Sequence, residues 1–178
     1  MNCVGIQGIA QMVNKKEFFK LIYDRYNKLV RSVVYFYIHN EQCHDVTQEV
    51  FVKAWGKLDS LQNQEKVKAW LMKITMNSIY DFYRKKGRLK EDFLAEEAQE
   101  LEASNKEIKQ LEDKDAVAQL LMKVSEKHRN VIVLYYLHDF SIAEIAESLD
   151  ESEGTVKSQL HYAKEELQQL MKKMEIVL

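Results

Sequence analysis

The chain has 178 residues, a formal net charge of -2, no proline, 5 glycines and 2 cysteines. So little turn punctuation excludes a strand-rich fold, because strands need a turn signal about every ten residues, and it predicts an all-α protein. Cys3 and Cys43 are too few for a disulfide scaffold and suit a reducing cytosol.

Residues 1–12, within a tail expected over 1–14, are mildly apolar, yet they lack the basic start and small-residue cleavage site of a signal peptide. No segment reaches the ~18 consecutive apolar residues of a membrane span. The stretch, which holds Gly5 and Gly8, is expected to be a disordered tail, with Met12 as an alternative start, and the protein is expected in the cytoplasm.

Residues 15–37 predict one long helical segment with Phe18, Leu21, Ile22, Leu29 and Val33 as its apolar set. A break near Val30 would supply a fourth helix in the first ninety residues. Residues 42–57 predict the next helix. At about 100° per residue, Val46, Val50, Phe51, Ala54 and Leu58 share one side, and Asp45, Gln48, Glu49 and Val52 the other. A polar loop over 59–64 leads to a third helix over 65–86. There Val67, Leu71, Ile74 and Ser78 lie on the core side, and Lys73, Met76, Asn77, Tyr80, Tyr83 and Arg84 face outward, followed by Lys85, Lys86 and Arg88.

Residues 89–113 lack an apolar stripe and read as an acidic linker between two small helical domains, 15–88 and 114–178. Short helices follow over 115–124, 127–138, 141–149 and 152–173. Ser141 and Ser152 are predicted N-caps. Ile142, Ile145, Ala146 and Leu149 give the third of these helices an apolar face, and Val156, Leu160, Ala163, Leu167 and Leu170 give the fourth a narrow stripe. Two such helices joined by Asp150 and Glu151 make a helix-turn-helix.

Charge divides along the chain. Residues 1–90 carry 16 Lys/Arg against 8 Asp/Glu, residues 91–116 carry 3 against 10, and residues 117–178 carry 7 against 10. A basic front half suits contact with a polyanion, and outward tyrosines among basic residues suit stacking on unpaired bases with phosphate contacts alongside. No Gly-rich phosphate loop, nucleophile elbow or paired catalytic carboxylates are present, which points to a binding protein that is not an enzyme and needs no cofactor. His39, Cys43 and His44 have ligand-like types but no fourth partner, so no metal site is expected.

Three motifs carry a family resemblance. GTVKS (154–158), opening the last helix within the segment from Ser141 to Leu167, looks like region 4 of the extracytoplasmic-function (ECF) sigma factors of RNA polymerase. DVTQEVFVKAW (45–55) is similar to their region 2.2, and WLMKITMNSIYDFYRKKGR (70–88) resembles regions 2.3 and 2.4. The motifs stand in the family's order and spacing from about residue 17.

The resemblance implies a sigma factor that binds core RNA polymerase, opens promoter DNA and is held inactive by an anti-sigma factor, often membrane-bound. Asp45, Gln48, Glu49 and Val52 would dock on polymerase. Lys73, Asn77, Tyr80, Tyr83, Arg84, Lys85, Lys86 and Arg88 would bind the -10 element, with an extruded base against the loop of residues 59–66. Ser152, Thr155, Lys157, Ser158, Gln159, His161 and Tyr162 would bind the -35 element. Gln159 and Tyr162 depart from the basic residues common in the family, which implies weaker phosphate binding and a shifted -35 preference. Val124-Ser125-Glu126 likewise departs from a common Leu-Pro-Glu. A monomer is expected when free. The alternative is a stand-alone helix-turn-helix repressor or activator, which needs no polymerase-docking face and usually dimerises on a palindrome.

Overall fold

The computed structural model describes residues 15–38, 40–85 and 114–174, in which seven α-helices and no strand occur. The expected tail (1–14) and linker (89–113) lie outside the described residues, as do His39, Lys86 and Arg88.

Helix α1 (Lys15–Tyr35) buries Ile22, Val30, Val33 and Val34 along one face. It runs unbroken through Val30, whose complete burial anchors the helix, so the break expected there does not occur. Leu21 also departs from expectation and stays 49% exposed. Helix α2 (Gln42–Lys57) buries Val46, Val50, Phe51 and Ala54, the side its spacing predicts. Between α2 and α3 (Val67–Lys85) the chain makes two 3-10 turns, Leu58–Ser60 and Gln64–Lys66. Asn63 caps the second by accepting from the Glu65 amide at 2.9 Å.

These three helices pack pairwise, and one lysine ties two of them together. Lys53 on α2 reaches Asp81 of α3 at 2.9 Å, Ser78 Oγ at 3.2 Å and Glu49 on its own helix at 2.8 Å. Lys53 donates a bond to each carboxylate, which lowers the pKa of Glu49 and of Asp81 from its ordinary value. Partial burial works against the Lys53 charge, but its two carboxylates outweigh that and raise its pKa.

The second group comprises α4 (Lys114–Met122), α5 (Glu126–Ile132), α6 (Ile142–Leu149) and α7 (Glu153–Lys173). The last carbonyls of α4 need partners, and the fully buried Arg129 supplies them. Its guanidinium donates to the carbonyls of Leu121 at 2.8 Å, Met122 at 2.9 Å and Val124 at 3.1 Å. Helix α5 runs on as a π-helical turn, Val133–Leu137, that leaves Tyr135, Tyr136 and Leu137 exposed. Glu166 of α7 accepts from the Ser125 amide at 2.8 Å and hydroxyl at 2.9 Å, and pairs with His128, which fastens α7 to the start of α5.

The two helical groups expected from the sequence also touch each other directly. Helix α3 packs on α6 as well as on α1 and α2, and one buried apolar cluster runs through both groups. Tyr37 donates its hydroxyl to Asn130 Oδ1 at 2.8 Å, and Asn130 Nδ2 donates to the Tyr80 hydroxyl at 2.8 Å.

Candidate functional site

Three surfaces follow from these helices. On α2, Asp45, Gln48 and Val52 are exposed, and Val52 is 71% exposed despite being apolar. Glu49 is half-buried and engaged by Lys53 at 2.8 Å and Lys85 at 3.5 Å, so it serves the link to α3 more than the open face. Trp55 lies one turn beyond Val52, 42% exposed, with Lys15 Nζ 5.5 Å from its ring centroid. Its position three residues after Val52 could have flagged it, since i and i+3 share a helix face. Phe19 packs edge-on against Trp55 at 5.1 Å and Tyr23 against Phe51 at 4.8 Å, which extends the apolar surface onto α1.

The α3 surface differs from its sequence reading. Asn77 is exposed, Arg84 and Lys85 are exposed, and Lys73 is partly exposed. Met76 and Tyr83, both expected to face outward, are buried at 2% and 5% exposure. The Tyr83 hydroxyl donates to the Tyr37 carbonyl, so this ring closes the end of α1 and offers no face for stacking. Tyr80 is half-buried, and its phenol pKa is raised chiefly by burial and then by the nearby Glu126. Residues from elsewhere in the chain meet these rings: Tyr37, just beyond α1, receives the Tyr83 hydroxyl, and Asn130 of α5 donates to the Tyr80 hydroxyl.

Lys66, the last residue of the loop expected to meet an extruded base, and Lys68, absent from the sequence reading, line up with Lys73 of α3. Each reaches a carboxylate of α6 or its cap: Lys66 to Glu147 at 2.9 Å, Lys68 to Glu144 at 3.1 Å and Lys73 to Asp150 at 2.6 Å. Arg84 is held by Asp81 at 2.7 Å.

The helix-turn-helix forms as its caps predict. Ser141 Oγ accepts from the Glu144 amide at 3.2 Å while the Glu144 carboxylate accepts from the Ser141 amide at 2.8 Å, a complete capping box. Burial raises the pKa of Glu144, but the bonds from Ser141 and Lys68 outweigh it and leave the pKa lowered. Asp150 ends α6 in the left-handed region at φ 58, which Asp tolerates better than most residues. Ser152 then caps α7 by accepting from the Thr155 amide at 3.1 Å. Val156 and Ala163 are buried, so the stripe faces the core, and Lys157, Ser158, His161 and Tyr162 project to solvent. Gln159 is half-buried beside the stripe, which leaves it less available to a groove than its neighbours. Around the ligand-like trio, Cys43 is buried and His44 contacts Arg31 at 3.3 Å.

A helical unit bearing a cation row, followed by a capped helix-turn-helix, defines a nucleic-acid-binding transcription protein. The description "Sigma-70 region 2" matches residues 22–89, and "Sigma-70, region 4" matches residues 114–167. The chain is 31% identical over 172 residues to the ECF RNA polymerase sigma-E factor of Escherichia coli (strain K12), covering 89% of this chain and 90% of that one. It is 29% identical over 170 residues to the ECF RNA polymerase sigma factor SigW of Bacillus subtilis (strain 168), covering 85% and 87%. Among solved structures it resembles the sigma factor RpoE in complex with the anti-sigma factor NepR from Bartonella quintana, with TM-score 0.69, 25% identity and 88% and 98% coverage. It also resembles CnrH in complex with the cytosolic domain of CnrY, with TM-score 0.64, 26% identity and 89% and 90% coverage. The chain belongs to the ECF sigma factors of RNA polymerase and acts in promoter recognition. Region 2 and region 4 together set aside the stand-alone repressor reading.

Proposed function

We propose that promoter recognition is divided among the three surfaces. The α2 face of Asp45, Gln48, Val52 and Trp55 docks on core polymerase, since an exposed apolar centre among polar groups is typical of an interface. The α3 face holds the melted -10 strand, with Lys66, Lys68 and Lys73 on phosphates and Asn77 beside an extruded base. Lys157, Ser158, His161 and Tyr162 of α7 enter the major groove at the -35 element. The chain performs no chemistry, which belongs to the polymerase, and it works in the cytoplasm where polymerase acts. Residues 15–88 form the core-binding and -10 unit, 89–113 the connector and 114–178 the -35 unit.

The observation that carries this reading is the lysine row leading to the exposed Asn77 amide, because a nucleic-acid strand needs cations along one track. The solved relatives bound to NepR and CnrY support an anti-sigma factor as a further partner. Permanganate footprinting of polymerase carrying Lys73→Ala or Asn77→Ala tests the -10 assignment. Reduced opening with unchanged core binding is expected, and wild-type opening in both variants contradicts it.

A further inference from the structure

Both carboxylate oxygens of Glu166 on α7 are taken by the start of α5. Oε1 accepts from the Ser125 amide at 2.8 Å, Oε2 accepts from the Ser125 hydroxyl at 2.9 Å, and Oε2 also pairs with His128 Nδ1. Ser125 is the N-cap residue of α5, yet its hydroxyl does not cap that helix and turns to α7 instead. Burial works to raise the Glu166 pKa, but the bonds from His128 and Ser125 outweigh it and leave the pKa lowered. The carboxylate therefore stays ionised and accepting.

The helix it holds is the one with the groove-facing residues. Glu166 stands four residues beyond Tyr162 and shares its side of α7, since i and i+4 are neighbours on a helix surface. The rest of the seat is apolar: Val156, Ala163 and Met171 are buried, and Leu160, Leu167 and Leu170 pack against the core. Apolar contact is non-directional, so a narrow stripe alone permits some roll about the helix axis. Hydrogen bonds are directional, and the contacts to Ser125 and His128 at the edge of the stripe fix that roll. A roll of about 20° at the ~5–6 Å radius of a helix with its side chains moves a reading group by about 2 Å, enough to lose a base-edge hydrogen bond.

We propose that Glu166 is a positioning residue for -35 reading: held by Ser125 and His128, it sets the rotation at which α7 presents Lys157, Ser158, His161 and Tyr162 to the groove. The proposal rests on the reading of α7 as the -35 helix. A proline at position 125, as in the Leu-Pro-Glu from which Val124-Ser125-Glu126 departs, has neither an amide hydrogen nor a hydroxyl and could make neither bond. The hold is thus a property of this sequence. Residues 117–178 carry 7 Lys/Arg against 10 Asp/Glu, so phosphate attraction is weak here and the placement of each groove residue counts for more.

The test uses polymerase reconstituted with the full chain and one promoter in two forms, with its -35 element intact or scrambled. The readout is the ratio of initiation on the two templates. Glu166→Ala removes the acceptor. Ser125→Pro removes both donors and suits the backbone, because Ser125 has φ -53, close to the about -65° of a proline ring. The ratio should fall about fivefold or more in Glu166→Ala and by less in Ser125→Pro, which keeps His128, while initiation on the scrambled template and core affinity hold. Glu166→Gln, whose side-chain carbonyl still accepts from Ser125, should recover part of the ratio. The double variant should match Glu166→Ala alone, since the two residues act as one unit. A wild-type ratio in Glu166→Ala, an equal fall on both templates, simple addition in the double variant or a Glu166→Gln no better than alanine overturns the proposal. Equal initiation on the two templates by the wild type overturns the -35 reading itself, and that comparison involves no variant.

Discussion

Tyr37, just beyond α1, donates its hydroxyl to Asn130 of α5 at 2.8 Å, linking residues 93 positions apart. Tyr37 is 1% exposed and Asn130 6%, so the bond lies inside the junction of the two helical groups. Burial is the main reason the Tyr37 phenol pKa is raised, and it keeps the hydroxyl a neutral donor.

Asn130→Ala removes the acceptor for Tyr37 and the amide that Tyr80 receives. A buried hydroxyl deprived of its partner costs about 1–3 kcal/mol, and urea denaturation should show a loss of that order. An unchanged midpoint would mean the junction is already open in solution.

The Lys53 network makes stability depend on acidity in a definite direction. Glu49 and Asp81 are held below their ordinary values of 4.5 and 3.8. A carboxylate with a lowered folded pKa contributes stability above its ordinary value, and this is lost as pH falls through the folded one. Urea midpoints measured on acidification should therefore fall below about pH 4.5 in the wild type. Lys53→Met should lower stability at neutral pH by about 1–2 kcal/mol and flatten this acid dependence. An acid profile identical to the wild type would remove Lys53 as the source of the lowering.

Val52→Asp probes the proposed docking face without touching that network. The side chain is 71% exposed, so thermal stability should change by no more than about 0.5 kcal/mol. Affinity for core polymerase should drop about tenfold, as expected for a charge placed at an apolar interface centre. Glu49→Lys is a poorer probe, because Glu49 is bonded to Lys53 and approached by Lys85. Equal core binding by Val52→Asp would move the docking site off α2.

Much of this was legible in the residues, and the exceptions share a physical origin. The caps at Ser141 and Ser152, the buried side of α2 and the stripe of α7 depend on contacts within a few residues, so periodicity found them. Tyr83 and Met76 were misread because helical geometry assigns a direction but cannot say what lies there; the Tyr37 carbonyl that receives the Tyr83 hydroxyl is 46 residues away in the chain. The pairing of Lys66 with Glu147 joins residues 81 apart, beyond any local pattern. No local pattern marks Arg129 for burial; it is buried because its guanidinium meets the carbonyls left at and after the end of α4. The unbroken α1 reflects tertiary burial of Val30, which no proline or glycine signal opposed.

Run-off transcription with purified core polymerase on a panel of promoter fragments tests the central claim most directly. Core alone should start at none of a subset of promoters, and core with this chain should give discrete transcripts from them. Those transcripts should fall sharply when His161→Ala and Lys157→Ala are combined on α7. Absence of any transcript, together with tight binding of the chain alone to palindromic duplex DNA, would contradict the account.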